Sequence, residues 1–112
     1  IGACAYGIFK AGNEYIGKTV GIAGEHVSGA EMAAAFTKAL GKKVAYVDMA
    51  PEAYRALGFP GADDLGNMFQ FKRDFNEDFR AARPVDKSRR LNPKLTSFEQ
   101  WLAAHAKEIP VG

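Results

Sequence analysis

The stretch from Gly58 to Phe75 constrains the fold most, because it begins as a tight turn and continues as an apolar helix. It holds four of the eight phenylalanines in the 112-residue chain. Pro60-Gly61 is typical of a turn, and the aspartates at 63 and 64 place negative charge at the positive end of the helix that follows. A helix that is apolar on more than one side is normally covered by its neighbours. We therefore expect this helix to lie at the centre of the packing.

Two segments typical of β-strands flank a helix earlier in the chain. Residues 18–23 and 44–49 are rich in β-branched and other apolar side chains. Between them, Ser28 and Glu31 have the spacing of a capping box and Gly41 is a typical helix terminator. A strand, a helix and a strand over about thirty residues predict a parallel pair with a right-handed crossover. The predicted fold class is α/β, with a small parallel β pair in a βαβ unit packed with about five helices.

Three further helices follow from apolar spacing and from start signals. The first has an apolar face formed by Ile1, Cys4, Ala5, Ile8 and Phe9. Pro51 suits the first position of a short helix, and Thr96 with Glu99 has the spacing of a second capping box, which predicts a last helix. Residues 76–93 are polar with charges of both signs, which favours a solvated surface loop over a phosphate-binding patch.

Length and charge limit the classes of protein. A chain of 112 residues is long enough for one compact domain over residues 1–112 and too short for two ordinary ones. The formal net charge of +2 gives no reason to expect a nucleic-acid or membrane partner. A single cysteine, Cys4, permits no internal disulfide and is typical of a reducing compartment. We expect a soluble, cytoplasmic protein.

Several patterns that could carry chemistry have a simpler structural explanation. The run Gly12–Thr19 fits G-x-x-x-x-G-K-[ST], but a phosphate loop follows a strand and opens a helix, whereas this run follows a predicted helix and precedes a predicted strand. His26 and His105 have no metal-ligand neighbourhood, so we predict no metal site. Asp63 and Asp64 could form an acid–base pair, yet their place at a helix start favours capping.

The aromatic residues of the long apolar helix allow two interpretations. Met68, Phe69 and Phe71 could line a small-molecule cleft, although the same spacing is typical of a core helix. We interpret none of the four tyrosines as part of the Tyr-x-x-x-Lys pair that short-chain dehydrogenases use in catalysis. No catalytic residue is predicted.

Two runs of sequence carry a family resemblance. Gly58–Phe71 reads GFPGADDLGNMFQF, and Arg90–Leu102 reads RLNPKLTSFEQWL. Both resemble segments of the NmrA-like family of atypical short-chain dehydrogenases, in its C-terminal part only. The resemblance implies that a whole family member carries an NAD(P)-binding Rossmann half upstream, and that this segment forms the substrate-side portion. No dinucleotide fingerprint stands in this chain, so we expect no cofactor for it alone, with NAD(P) implied for the full-length family.

The resemblance also implies a role, because family members are interpreted as redox sensors or regulators that contact proteins. We consider two hypotheses. In the first, the chain is a non-catalytic regulatory, redox-sensing or protein-interaction segment. In the second, it is the substrate-binding part of an NAD(P)-dependent reductase, with Gly61, Met68, Phe69 and Phe71 on the substrate side. For the partner we expect a second copy in a homodimer, or a Rossmann half. It would cover the face around Ile1 and Phe9, and also Phe71, which lies off the predicted apolar stripe of Leu65, Met68, Phe69 and Phe75.

Overall fold

The computed structural model describes residues 1–111, and all of their regular secondary structure is helical. Seven α-helices occur in it, in the order α1 (Gly2–Lys10), α2 (Gly29–Leu40), α3 (Pro51–Arg55), α4 (Ala62–Asp74), α5 (Asn76–Ala81), α6 (Val85–Leu91) and α7 (Phe98–His105). Short 3-10 helices follow α1 at Gly12–Tyr15 and α7 at Ala106–Glu108.

The predicted parallel β pair is wrong, because neither residues 18–23 nor residues 44–49 form a strand. Side chains, and not a neighbouring strand, satisfy backbone groups at both segments. The N–H of Ala23 donates to Oγ of Ser88 at 2.9 Å, and the N–H of Val44 donates to Oγ1 of Thr37 at 2.9 Å. Two short strands without a wider sheet are marginally stable at best. The helix of the predicted βαβ unit forms without the pair.

The helix starts were predicted more accurately than the strands. Ser28 caps α2 as expected, since its Oγ accepts from the N–H of Glu31 at 3.2 Å while the Glu31 carboxylate accepts from the N–H of Ser28 at 2.7 Å. Gly41 ends α2 with φ of 65°. The second capping box is shifted by one residue from Thr96 to Ser97, whose Oγ accepts from the N–H of Gln100 at 3.1 Å.

Residues 76–93 are not an irregular loop, because they contain α5 and α6. The charges that suggested a solvated loop are sorted along these helices. Both helices have acidic residues in the first turn and basic residues in the last, which matches the helix dipole. Pro84 separates them, since proline cannot continue a helix.

The packing divides the chain into two units, and the first consists of Ile1–Tyr46 together with the chain from Arg83 onward. Within it α1 packs on α6, and α2 packs on α7. A β-carbon on Gly7 would collide with the carbonyl of Leu91, so α1 and α6 approach at backbone distance. Ser88, only 1% exposed, lies at this contact, and its carbonyl accepts from the Cys4 thiol at 3.8 Å.

The second unit is Val47–Ala82, and α4 packs in it against α3. The ring of Tyr54 makes an edge contact with Phe69 at 5.4 Å between centroids. The Arg55 guanidinium donates to Gln70 at 2.9 Å, and its aliphatic part lies against Gly66. Only Ala62 and Gly66 of α4 are buried. The expectation that neighbours enclose α4 is therefore wrong. The prediction of a single domain stays a prediction.

Candidate functional site

The four residues predicted to line a substrate-side cleft all belong to α4 or its cap. Gly61 is the N-cap of α4, with φ of 88°. Phe69 and Phe71 stand two positions apart, which places them about 200° apart around the helix. Phe69 accordingly contacts Tyr54 of α3, whereas the Phe71 ring stacks on Phe75 at 5.1 Å. The phenylalanines do not converge on one wall, and their binding of a substrate stays a prediction.

An apolar surface remains on the side of α4 that does not contact α3. It consists of Met68, Phe71 and Phe75, which we call the α4 face. Met68 and Phe71, three residues apart, lie on one side of the helix, and Phe75, the residue that ends it, stacks on Phe71. Met68 is 37% exposed, Phe71 52% and Phe75 54%. Large side chains that remain exposed together typically mark an interaction surface.

Charged residues stand at the two ends of the α4 face. Asp63 and Asp64 lie in the first turn of α4 with no side-chain cap hydrogen bond, so they contribute charge and not the capping bond expected. Lys72 and Arg73 lie in the last turn. The Lys72 ammonium lies 5.7 Å from the centroid of the Phe69 ring and 5.4 Å from that of the Phe79 ring. The start of the helix is therefore acidic, whereas its end is only weakly basic because Asp74 pairs with Arg73.

A separate groove lies in the first unit, between α2 and α7. Its volume is about 260 Å³, and its lining residues are Ala35, Lys38, Ala39, Glu99, Leu102 and Ala103. Lys38 and Glu99 form an ion pair with 3.5 Å between Nζ and Oε2. The groove is smaller than the roughly 300 Å³ at which ligand pockets begin, and it contains none of the predicted cleft residues.

One pair with catalytic spacing was overlooked in the sequence. Tyr6 and Lys10 of α1 have the Tyr-x-x-x-Lys spacing, contrary to the interpretation of the tyrosines given above. The Lys10 ammonium lies over the Tyr6 ring at 5.6 Å from its centroid. Cys4, two positions before Tyr6, is buried against Ser88, and residues two apart do not share a helix face. Tyr6 is exposed on the other side, which is typical of a surface pair.

The other motifs have structural surroundings. A phosphate loop leads directly into an α-helix. The run from Gly12 to Thr19 instead contains the 3-10 helix Gly12–Tyr15, and no α-helix follows it directly. His26 Nε2 lies 2.8 Å from the carbonyl oxygen of Arg83, and His105 stacks on Trp101 at 4.9 Å. Across residues 1–111, no three His, Cys, Asp or Glu side chains are grouped as metal ligands would be. None of the helices described there has the length and apolar character that crossing a bilayer requires.

Comparison with known proteins supports the resemblance carried by the two sequence runs. The model of the NmrA-like family matches residues 1–102, which include both runs. NmrA-like family domain-containing protein 1 of Rattus norvegicus is 40% identical over 55 residues, a match covering 49% of this chain and 31% of the rat protein. The match thus spans less than a third of that relative. On the family match, this chain belongs to the NmrA-like family.

Proposed function

We propose that this chain is a non-catalytic protein-interaction segment of an NmrA-like protein, and that it docks through the α4 face. The observation that supports this proposal is the exposure of Met68, Phe71 and Phe75 on one side of α4, because burying such side chains against a partner is favourable by about 25 cal/mol per Å². The face is flanked by charges, as protein interfaces with an apolar centre and a polar rim are.

The cofactor chemistry of the family belongs, in this proposal, to another part of the protein. The chain contains no G-x-G sequence, so it lacks the glycine turn that brings a backbone close to a pyrophosphate. A redox-sensing or regulatory role would then require an NAD(P)-binding half, and this segment would transmit the state of that half through a protein contact.

The test uses the NAD(P)-binding half of an NmrA-like relative, expressed as a separate protein, and titrates it with this chain by calorimetry. We expect binding that Phe71→Glu weakens at least about tenfold, because the charge would be buried at the interface. Phe9→Glu is the matched control, since Phe9 is 81% exposed and belongs to a different helix, α1. Equal effects of the two variants would contradict docking through α4. No binding by this probe or by a second copy would contradict the interaction function.

The alternative function, substrate binding within an NAD(P)-dependent reductase, has one observation in its favour. Tyr6 and Lys10 have the catalytic spacing of short-chain dehydrogenases. A catalytic tyrosine would need a nicotinamide and a substrate next to its hydroxyl, whereas Lys10 here lies over the ring face. We expect no carbonyl reduction when the chain is mixed with the NAD(P)-binding half and NADPH, and no difference between the unsubstituted chain and Tyr6→Phe. A large loss of rate would favour the reductase.

A further inference from the structure

We propose that the α4 face binds the α4 face of a second copy, with the two helices antiparallel about a two-fold axis beside Met68. This inference rests on the proposed interaction function and names its partner. The evidence lies in the arrangement of residues along α4, which is complementary to itself when one copy is reversed.

Met68 is the middle residue of α4, which runs from Ala62 to Asp74. A two-fold axis beside Met68 brings residues equally far before and after it to the same level. Leu65 then lies level with the partner's Phe71, and Gly61 lies level with the partner's Phe75. Gly61 has no side chain and leaves room for a ring at that end. At each end of the contact a bulky residue thus lies opposite a small one, which favours close packing there.

The charges of α4 are also complementary to those of a second α4 that runs in the opposite direction. The first turn of α4 is acidic and its last turn is basic. In the antiparallel pair, Asp64 lies level with the partner's Lys72, and the reverse holds at the other end. The dipoles of the two helices also oppose each other. A parallel pair would bring the acidic turns together and the basic turns together, which is unfavourable.

The exposed area indicates how strong the association is. With roughly 200 Å² for each phenylalanine, the half-exposed rings and Met68 present roughly 300 Å² in each copy. Two copies would bury roughly 600 Å² from these side chains, below the 1,200 Å² or so of stable complexes. We therefore expect a reversible dimer that forms at chain concentrations above about 100 µM.

The face of α1, considered from the sequence as the contact, fits a second copy less well. Cys4 is buried against α6 and Ile8 is half-buried, so the exposed Ile1 and Phe9 are separated by residues that are already covered. This leaves no continuous apolar stripe on α1. The α4 face retains three exposed apolar residues, two on α4 and one at its C-terminal cap.

A cysteine at the two-fold axis provides the decisive experiment. Met68→Cys places two thiols opposite each other in the dimer, within the short distance that a disulfide bridges. We expect oxidation with diamide at about 200 µM chain to cross-link this variant at least tenfold faster than Asp63→Cys, an exposed position on another side of α4. Cys4 is buried in the unsubstituted chain, and the cross-linking of that chain measures the background from this thiol. Equal rates for the two variants would overturn the proposal.

Charge exchange tests the antiparallel orientation. We expect Asp64→Lys to weaken dimerisation at least about threefold in sedimentation equilibrium, and the double change Asp64→Lys with Lys72→Asp to restore it. Failure of the double change to restore association would contradict the antiparallel register. A monomer at all concentrations up to about 1 mM would refute the dimer, while binding to the NAD(P)-binding half in the same preparation would leave the interaction function standing.

Discussion

Arg73 and Asp74 are adjacent at the end of α4, and their contact changes the pKa of the Asp74 carboxyl. The Arg73 guanidinium donates through Nε to Oδ1 of Asp74 at 2.8 Å, and Gln70 donates to Oδ2 at 3.4 Å. The hydrogen bond from Arg73 holds the pKa of the Asp74 carboxyl below its usual range, and the contact with Gln70 lowers the pKa further. Both residues are exposed, so salt screens the pair.

Replacing Arg73 by alanine should raise the pKa of Asp74 towards the usual value of about 3.9. The folded-state pKa lies below the unfolded-state value, so the carboxylate adds stability that is present above the unfolded-state pKa. That stability is lost as the pH falls through the folded-state pKa. An NMR titration of the Asp74 carboxyl carbon measures the change, and Arg80→Ala is the control. Identical Asp74 midpoints in the unsubstituted chain and in Arg73→Ala would disprove the assignment.

At the scale of the element, local signals predicted helix starts and failed where the outcome depended on distant partners. The box at Ser28 was found because donor and acceptor lie three residues apart. Thr96 with Glu99 and Ser97 with Gln100 both match the pattern, and sequence alone could not choose between the overlapping pairs. The Glu25 carboxylate, which accepts from the N–H of Phe98 at 2.7 Å, adds a long-range contact at that start.

The strand prediction failed because strand formation depends on a partner elsewhere in the chain. A β-branched run forms a strand only if another strand pairs with it, and the N–H of Ala23 instead donates to the Ser88 hydroxyl of α6. The apolar spacing of α4 indicated that a face exists, but not whether a neighbour covers it. The Tyr6 and Lys10 spacing was readable from the sequence and was simply missed.

The observed caps predict a specific pattern of stability. Ser28→Ala and Ser97→Ala should each lower the free energy of unfolding by about 1 kcal/mol, because each removes an acceptor for an otherwise unpaired N–H. Thr96→Ala is the matched control and should change it by less than about 0.5 kcal/mol. Urea denaturation measures all three variants. A larger loss of unfolding free energy for Thr96→Ala than for Ser97→Ala would indicate that Thr96, and not Ser97, caps α7.

The close approach of α1 and α6 makes Gly7 hard to replace. Gly7→Ala should destabilise the chain by about 1–3 kcal/mol, since its methyl group would meet the backbone of Leu91, which cannot rotate away. A β-carbon at Gly2, on the same helix, would have no other atom within 4 Å, so Gly2→Ala should be neutral or slightly stabilising. Thermal unfolding followed by circular dichroism compares the pair. Similar midpoints would argue against backbone contact between α1 and α6.

At the scale of the whole molecule, family membership implies NAD(P) binding, whereas the sequence of this chain lacks the motif that such binding uses. The family match covers residues 1–102, yet the sequence contains no glycine fingerprint for a dinucleotide. Family chemistry can therefore be assigned to this chain only through the residues that it carries. Those residues provide an apolar helix face and no pyrophosphate turn.

We expect the isolated chain not to bind NADP(H) with useful affinity. Calorimetry at about 50 µM chain should show no saturable heat up to millimolar NADPH, because no backbone turn is available to hold the pyrophosphate. The NAD(P)-binding half of a family member serves as the positive control. Micromolar binding by this chain would require a cofactor site outside the known fingerprint.

The contact between Gly7 and Leu91 also determines when the first unit can form during synthesis. Cys4 and Ser88 meet across 84 positions of sequence, so this unit has no α1–α6 contact until the ribosome has released residues near 91. The second unit, Val47–Ala82, is continuous in sequence, so its contacts join positions that are closer along the chain. Contacts between nearby positions also close with a smaller loss of chain entropy. The segment that contains α4 should thus fold first, and its apolar face should form before α6 is available to pack against α1.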